Sequence, residues 1–146
     1  MSDDEKAAYF EDLMWASVEK LFAQLDGDWD SLSSEEQDIV ALWRAEADIY
    51  NGGFIQFFCN WGETTFATAR NALQKIGAQH SLALFERFAS IMADMKDDER
   101  ITELWDMPQY LSAAQLDALS ALDEQYWDNP DNLCLLAYRY YCQVDA

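Results

Sequence analysis

The segment YNGGFIQFFCNWG, residues 50–62, is the stretch from which the rest of the fold can be worked out. It contains no charged residue, although the 146-residue chain has a formal net charge of -19. The Asn-Gly-Gly triplet at 51–53 predicts a helix end, because Asn and Gly accept the left-handed conformation that closes helices. From Phe54 onward, aromatic residues recur at i+3, i+4 and i+7. This spacing predicts a short, deeply packed helix that ends at Gly62.

Helical periodicity continues on both sides of this segment. Capping-box patterns, in which a Ser is followed three residues later by Glu or Gln, open two of the helices, at Ser33 and at Ser112. No alternating strand pattern and no internal repeat is present. The sequence therefore predicts an all-α fold, a single compact domain of about seven or eight helices over residues 1–146. The predicted helices span about residues 4–25, 34–53, 54–61, 63–76, 82–95, 112–126 and 133–144.

Acidic residues are concentrated at the two ends of the chain. Residues 1–50 carry 14 acidic and three basic side chains, residues 51–100 carry six and five, and residues 101–146 carry eight and one. The domain is therefore predicted to consist of acidic helices (1–50), near-neutral core helices bearing the opening segment (51–100) and acidic C-terminal helices (101–146). Such a charge repels nucleic acid and anionic membranes and attracts basic surfaces. We expect a basic protein partner, with no direct nucleic-acid or membrane binding.

A seven-residue step places carboxylates along one side of the first predicted helix. Glu5, Asp12 and Glu19 follow one another at about 10 Å, given a rise of about 1.5 Å per residue. Carboxylates at such separations resemble the charge lattice of duplex phosphates. The simpler interpretation is a solvated helix face. The residues predicted to bind a basic partner are Glu5, Asp12, Glu19, Asp26, Asp28, Asp30, Glu35, Glu36, Asp38, Asp117, Asp123, Glu124 and Asp128.

Catalytic and metal-binding patterns fit the sequence poorly. Three aspartates at alternate positions of 26–30 resemble the start of a calcium loop, but Ser31 and Gln37 stand where that loop needs Gly and a bidentate Glu. His80 is the only histidine, and no Cys or carboxylate lies near it at metal-ligand or triad spacing. The sequence therefore predicts no enzyme activity, no metal site and no cofactor.

The cysteines and the N-terminal residues favour a cytoplasmic protein. Cys59, Cys134 and Cys142 form no CxxC pair, and their odd number predicts reduced, buried and inert thiols. The first ten residues lack the basic and apolar regions of a signal peptide. The longest uncharged run, of about 14 residues, is too short to span a bilayer.

Gln56 and Asn60 are polar residues, four apart, within the aromatic segment, and they need hydrogen-bond partners in the fold or on a ligand. The segment resembles the NGGFxQFFxN signature of a bacterial family of small, acidic, all-helical proteins that includes a DNA mimic. The resemblance extends over about residues 10–142, and it implies a helical domain without known catalytic activity. The motif positions, which we interpret as fold-defining, are Asn51, Gly52, Gly53, Phe54, Gln56, Phe57, Phe58 and Asn60.

The resemblance also implies a function, and together with the charge of -19 it makes a DNA mimic the leading interpretation, with two alternatives. A DNA-mimic member binds a basic DNA-binding protein, such as a helix-turn-helix transcription factor, and blocks its access to DNA. An immunity or antitoxin-like module that neutralises a basic nuclease or toxin would use the same charge. A monomer and a homodimer are both compatible with the sequence. A small-molecule binder would instead use a pocket lined by Tyr50, Phe54, Gln56, Phe57, Asn60 and Trp61.

Overall fold

Helices account for the regular secondary structure in the computed structural model, which describes residues 1–24, 29–95, 97–128 and 131–142. No strand occurs in these ranges, so the predicted all-α class is confirmed. Counting the two halves of the kinked α3 separately, the described residues form seven α-helical segments of one compact domain. The α-helices are α1 (Asp3–Gln24), α2 (Ser34–Gly52), α3 (Phe54–Ile76), α4 (Gln79–Met92), α5 (Ala113–Trp127) and α6 (Leu133–Tyr141). Short 3-10 helices span Trp29–Ser31, Ala93–Met95 and Leu104–Tyr110.

Two glycines with positive φ set the direction of the central helices. Gly53 (φ 91°, ψ 179°) ends α2 and begins α3, and its N–H donates to the Ile49 carbonyl at 3.0 Å. Gly62 (φ 83°, ψ -169°) divides α3 into the halves 54–61 and 63–76. This region of backbone space is essentially restricted to glycine. The predicted helix ends at Gly53 and Gly62 are both confirmed. At Gly62 no loop follows, and the second half of α3 begins at the next residue.

Both predicted capping boxes are confirmed. At the start of α2, the Ser33 hydroxyl accepts from the Glu36 N–H and the Glu36 carboxylate accepts from the Ser33 N–H, each at 3.1 Å. At the start of α5, Ser112 and Gln115 exchange the same pair of bonds. Each box satisfies two backbone donors that the helix itself leaves unpaired.

Aromatic rings from α3 and α4 fill the centre of the domain. Phe66 stacks on Phe85 with ring centroids 5.1 Å apart, and Phe54 stacks on Phe88 at 5.5 Å. Phe54 and Phe57 are completely buried, as the spacing predicts, whereas Phe58 and Trp61 are partly buried against the same cluster. Removing each such ring from water contributes about 1.5–3 kcal/mol. The aromatic residues of the uncharged motif segment therefore form part of the core of the fold.

The N- and C-terminal helices pack on each other, and α1 also packs on α2 while α6 packs on α3. Phe10 of α1 stacks on Tyr141 of α6 with centroids 6.1 Å apart, and Met14 and Val18 extend the buried side of α1. The acidic end segments are thus joined across this core. The predicted ends at Leu25, at Asn129-Pro130 and at Val144 fall outside the described residues.

Three elements differ from the prediction, one of which is the short 3-10 helix Trp29–Ser31, which was not predicted. The helix expected over 82–95 begins three residues earlier, at Gln79, because the Asp131 carboxylate accepts from the Ser81 N–H at 2.7 Å and from the His80 N–H at 3.4 Å. Its last three residues form a 3-10 turn. The 3-10 helix Leu104–Tyr110, which contains Pro108, was not predicted. Within the described ranges, no helix has both the length and the apolar content needed to span a bilayer.

Candidate acidic binding surface

The carboxylates spaced at seven residues on α1 share one solvent-exposed side of the helix. Glu5, Asp12 and Glu19 are all exposed, while Phe10 and Met14 on the other side are buried. The Glu5 carboxylate accepts from the Ser2 hydroxyl at 3.2 Å. Within the described part of the chain, none of the three forms a salt bridge. Their negative charge is therefore open to solvent and to a partner.

The start of α2 lies near the C-terminal part of α1. Lys20 of α1 forms a salt bridge with Glu36, and this bond lowers the pKa of the Glu36 carboxyl group. Asp30 and Glu35 are exposed nearby in sequence. The structure thus brings the end of the α1 carboxylate row to the start of α2. Asp26 and Asp28, also predicted for this surface, lie outside the described residues.

Two predicted residues have internal roles and do not belong to the open surface. Asp38 is only 5% exposed, and its Oδ2 accepts from Lys75 Nζ at 2.7 Å and from the Tyr141 hydroxyl at 2.9 Å. Asp123 caps α3, since its Oδ1 accepts from the Phe54 N–H at 2.9 Å. Burial raises the pKa of Asp123, and this hydrogen bond opposes the rise. Spacing within one helix could not show that these carboxylates meet partners from distant elements.

The remaining acidic residues of the C-terminal group lie on and just after α5. Asp117, Glu124 and Asp128 are exposed, and none forms a salt bridge within the described residues. These three residues belong to α5 and its C-terminal end, and α5 packs mainly on α4 and also on α2 and α3.

The polar motif residues converge on a carboxylate that the sequence analysis missed. Asp48 of α2 accepts from Gln56 Nε2 at 3.0 Å through Oδ1. Its Oδ2 accepts from Asn60 Nδ2 at 3.3 Å and from Trp61 Nε1 at 2.7 Å. Of the two possibilities, partners in the fold or on a ligand, the structure thus shows a partner within the fold for both Gln56 and Asn60, a side chain of α2.

A buried arginine lies beside this network. The Arg44 guanidinium stands 3.9 Å from the Trp61 ring centroid and 4.8 Å from that of Trp29, and it donates to the Thr65 hydroxyl at 3.2 Å. Burial lowers the pKa of Arg44 to about 10, and the charge of Asp48 opposes this. The four-residue separation of Arg44 and Asp48 on one helix was the available sequence signal for the pair.

Five of the six residues of the hypothesised ligand pocket, all except Tyr50, are completely buried or bonded to Asp48 within the fold. Phe54 and Phe57 are completely buried among other rings, and Gln56, Asn60 and Trp61 bond to Asp48. These side chains are therefore occupied within the fold. Their arrangement disfavours a small-molecule site at this position.

The remaining candidate groups for chemistry are the three cysteines and the single histidine. The cysteines are free, and burial raises the pKa of Cys59 to about 11 and of Cys134 to about 12. His80 is exposed in the first turn of α4. No group of three or more His, Cys, Asp or Glu side chains within the described ranges could hold a metal ion.

Fold and surface together define an acidic all-helical domain with an exposed row of carboxylates and a polar network at its central helix junction. The sequence model of the DMP19-like protein family matches residues 30–144, and the chain belongs to this family. This match includes the 51–60 motif but not α1, so it begins later than the expected residue 10. Neither the curated proteins nor the solved structures contain a match.

Proposed function

We propose that this protein is a non-enzymatic DNA mimic that binds a basic DNA-binding protein and blocks its access to DNA. The observation that carries the proposal is the exposed row of Glu5, Asp12 and Glu19, which lacks compensating salt bridges in the described residues. Membership of the DMP19-like family and the net charge of -19 support it. A helix-turn-helix transcription factor is the proposed type of partner, because it presents Lys and Arg to phosphates.

The physical basis is competition for the same basic side chains. Carboxylates fixed about 10 Å apart on a helix attract Lys and Arg at a distance and steer the encounter. The attraction falls with salt, since the Debye length is about 10 Å at 0.1 M ionic strength. The proposed surface comprises Glu5, Asp12, Glu19, Asp30 and Glu35, with a second area at Asp117, Glu124 and Asp128. Glu36 is not included, because its carboxylate is occupied by Lys20 and by the Ser33 N–H.

The test begins with capture of partners from a native lysate at low salt. A captured DNA-binding protein is then bound to labelled duplex DNA, and the release of that DNA by the acidic protein is followed by fluorescence anisotropy. We expect release by the wild type and much weaker release by the triple variant Glu5→Gln, Asp12→Asn, Glu19→Gln. The matched control removes the same number of charges from exposed positions elsewhere: Glu63→Gln, Glu86→Gln and Asp94→Asn.

The outcomes separate the proposal from its alternatives. Equal release by both triple variants would reject the α1 row as the binding surface. Capture of a basic nuclease or toxin whose activity is inhibited would instead support an immunity function. Light scattering of the purified protein, alone and with its partner, gives the number of copies in each complex.

A further inference from the structure

A cavity of about 400 Å³ opens between α1, α2 and α6. The cavity lies next to the exposed carboxylate row. Successive residues of an α-helix are rotated by about 100°, which places Trp15 between the buried side of α1, marked by Met14 and Val18, and the exposed side, marked by Glu19. Trp15 is on the rim of the cavity. Its lining includes Glu11 and Trp15 from α1, Trp43, Glu46 and Tyr50 from α2, and Cys134 from α6.

Aromatic rings form much of the cavity wall. Trp15 and Trp43 meet edge to face with ring centroids 5.3 Å apart, and Trp15 remains 51% exposed. Tyr50 is 42% exposed and packs edge-on against Tyr126 at 5.6 Å. Trp and Tyr rings attract cations through their electron-rich faces. Exposed Trp and Tyr at the rim of a cavity are typical of binding sites rather than of solvated helix faces.

Two carboxylates complete the cavity. Glu46 is partly buried, and its Oε1 accepts from the Tyr126 hydroxyl at 2.9 Å. Glu11 is exposed on the α1 side. Neither forms a salt bridge to any basic group in the described ranges. The cavity therefore combines aromatic walls with negative charge that lacks a counter-ion.

The same molecule already holds one guanidinium in this type of environment. Arg44 lies against the rings of Trp29 and Trp61, and the charge of Asp48 favours its ionised form. The cavity beside Trp15 offers the same two elements, aromatic rings and a carboxylate, without an arginine of its own. A planar guanidinium suits this combination better than an ammonium group, because it stacks on rings and donates several hydrogen bonds.

We propose that the cavity lined by Trp15, Trp43, Tyr50, Glu11 and Glu46 binds an arginine side chain of the basic partner. The arginine stacks on the indole rings and donates to the Glu46 and Glu11 carboxylates. That the arginine belongs to a protein partner rests on the proposed DNA-mimic function. The α1 row attracts the partner, and the cavity holds one of its side chains.

The charge of Glu46 makes this binding depend on pH. Burial raises the pKa of Glu46 to about 7, the Tyr126 hydroxyl lowers it and the charge of Glu11 raises it. Burial raises the pKa of Tyr50 to about 12 and of Cys134 to about 12, and the pKa of Tyr126 rises well above its usual value, so these groups stay neutral. Asp128 also acts on Tyr50 from the end of α5. Arginine binding should therefore strengthen as pH rises through about 7.

The experiment uses a fluorescently labelled peptide of alternating Arg and Gly and the full-length protein, with anisotropy as the readout. At about pH 8, Trp15→Ala and Glu46→Gln should each weaken binding about tenfold, the scale of a partly desolvated cation–π contact or a lost charge pair. Trp105→Ala is the matched control for an equally exposed indole, and Glu86→Gln for the loss of one charge. Both controls should change binding less than about twofold.

A second measurement separates a binding role of Glu46 from a structural one. Wild-type affinity should fall several-fold from about pH 8 to about pH 6, while the affinity of Glu46→Gln should lose most of this dependence. Glu46→Gln retains an acceptor for Tyr126 and removes a charge that burial disfavours, so it should unfold no more readily than the wild type above pH 7.

The results also distinguish this inference from the function on which it rests. Weak peptide binding by the triple α1 variant together with unchanged binding by Trp15→Ala and Glu46→Gln would overturn the arginine cavity and leave the DNA-mimic proposal intact. Normal cavity behaviour without any displacement of DNA would reject the mimic and support the cavity. Tetramethylammonium that binds as tightly as the peptide would overturn the assignment to arginine.

Discussion

At the residue scale, the Asp48 side chain links α2 to the first half of α3 by hydrogen bonds. Its two oxygens accept from Gln56, Asn60 and Trp61, which all follow the turn at Gly53. Hydrogen bonds to an ionised acceptor contribute about 1.5–3 kcal/mol each when they are well formed. A single carboxylate therefore explains why the motif combines amides with aromatic residues.

Replacement of Gln56 tests this role. Gln56→Ala removes the donor to Asp48 Oδ1 and the side chain that packs over Gly52, so the free energy of unfolding should fall by about 1–3 kcal/mol. Urea denaturation provides the measurement, and Gln74→Ala, an exposed position of the same helix, is the control with a change below about 0.5 kcal/mol. Equal stability of the two variants would contradict the network, as would a larger effect on partner binding than on stability.

At the element scale, helix ends in this fold are held by carboxylates from distant parts of the chain. Asp123 caps α3 from α5, and Asp131 caps α4 from the residues before α6. A negative charge at a helix N-terminus satisfies unpaired N–H groups and interacts favourably with the helix dipole. Part of the negative charge therefore stabilises helices rather than attracting a partner.

The junction of α2, α3 and α5 gives an element-scale prediction. A Cβ atom at Gly53 would lie 2.2 Å from Asp123 Oδ2, and the backbone there has φ 91° and ψ 179°. Gly53→Ala should lower the free energy of unfolding by about 3 kcal/mol or more, because it adds backbone strain and displaces the cap. Gly77→Ala is the control: its φ of 77° is left-handed, but no atom lies within 4 Å of the added Cβ. It should cost about 1–2 kcal/mol by the same urea measurement, and equal costs would contradict the clash.

Features that depend on local spacing in the sequence could be predicted, whereas features that depend on tertiary contacts could not. The capping boxes, the break at Gly62 and the buried faces of Phe54 and Phe57 depend on residues close in sequence, and all were predicted correctly. The roles of Asp38 and Asp123 depend on partners up to 103 residues away, at which a helical pattern gives no information. Periodicity shows that a carboxylate is on a helix, but its exposure depends on which helix packs there.

At the scale of the whole molecule, unbalanced charge works against folding and in favour of association. Nine basic residues face 28 acidic ones, and several of the basic groups, Lys20, Lys75 and Arg100 among them, are already paired. Repulsion among the remaining carboxylates reduces the stability of the compact state. The same repulsion keeps the exposed surface negative.

Added salt should therefore raise the stability of the fold and lower the affinity for a basic partner. As ionic strength rises from about 0.01 M to 0.15 M, the Debye length falls from about 30 Å to about 8 Å. The midpoint of thermal unfolding should rise over this range, while affinity for the basic partner should fall. The triple α1 variant, with fewer charges to screen, should show a smaller rise in calorimetry. A midpoint that falls with added salt would contradict a dominant role of repulsion.

The stacking of Arg44 between Trp29 and Trp61 has a spectroscopic consequence. Indole rings fixed in an asymmetric environment give circular dichroism in the near ultraviolet, whereas the backbone signal in the far ultraviolet reports helix content. Because Trp29 belongs to the short 3-10 helix ahead of α2, release of this segment alone would change the indole signal and leave the backbone signal nearly constant. The contact of Arg44 with Trp29 and Trp61 therefore contributes an optical signal for the attachment of the 3-10 helix Trp29–Ser31 to α2 and α3.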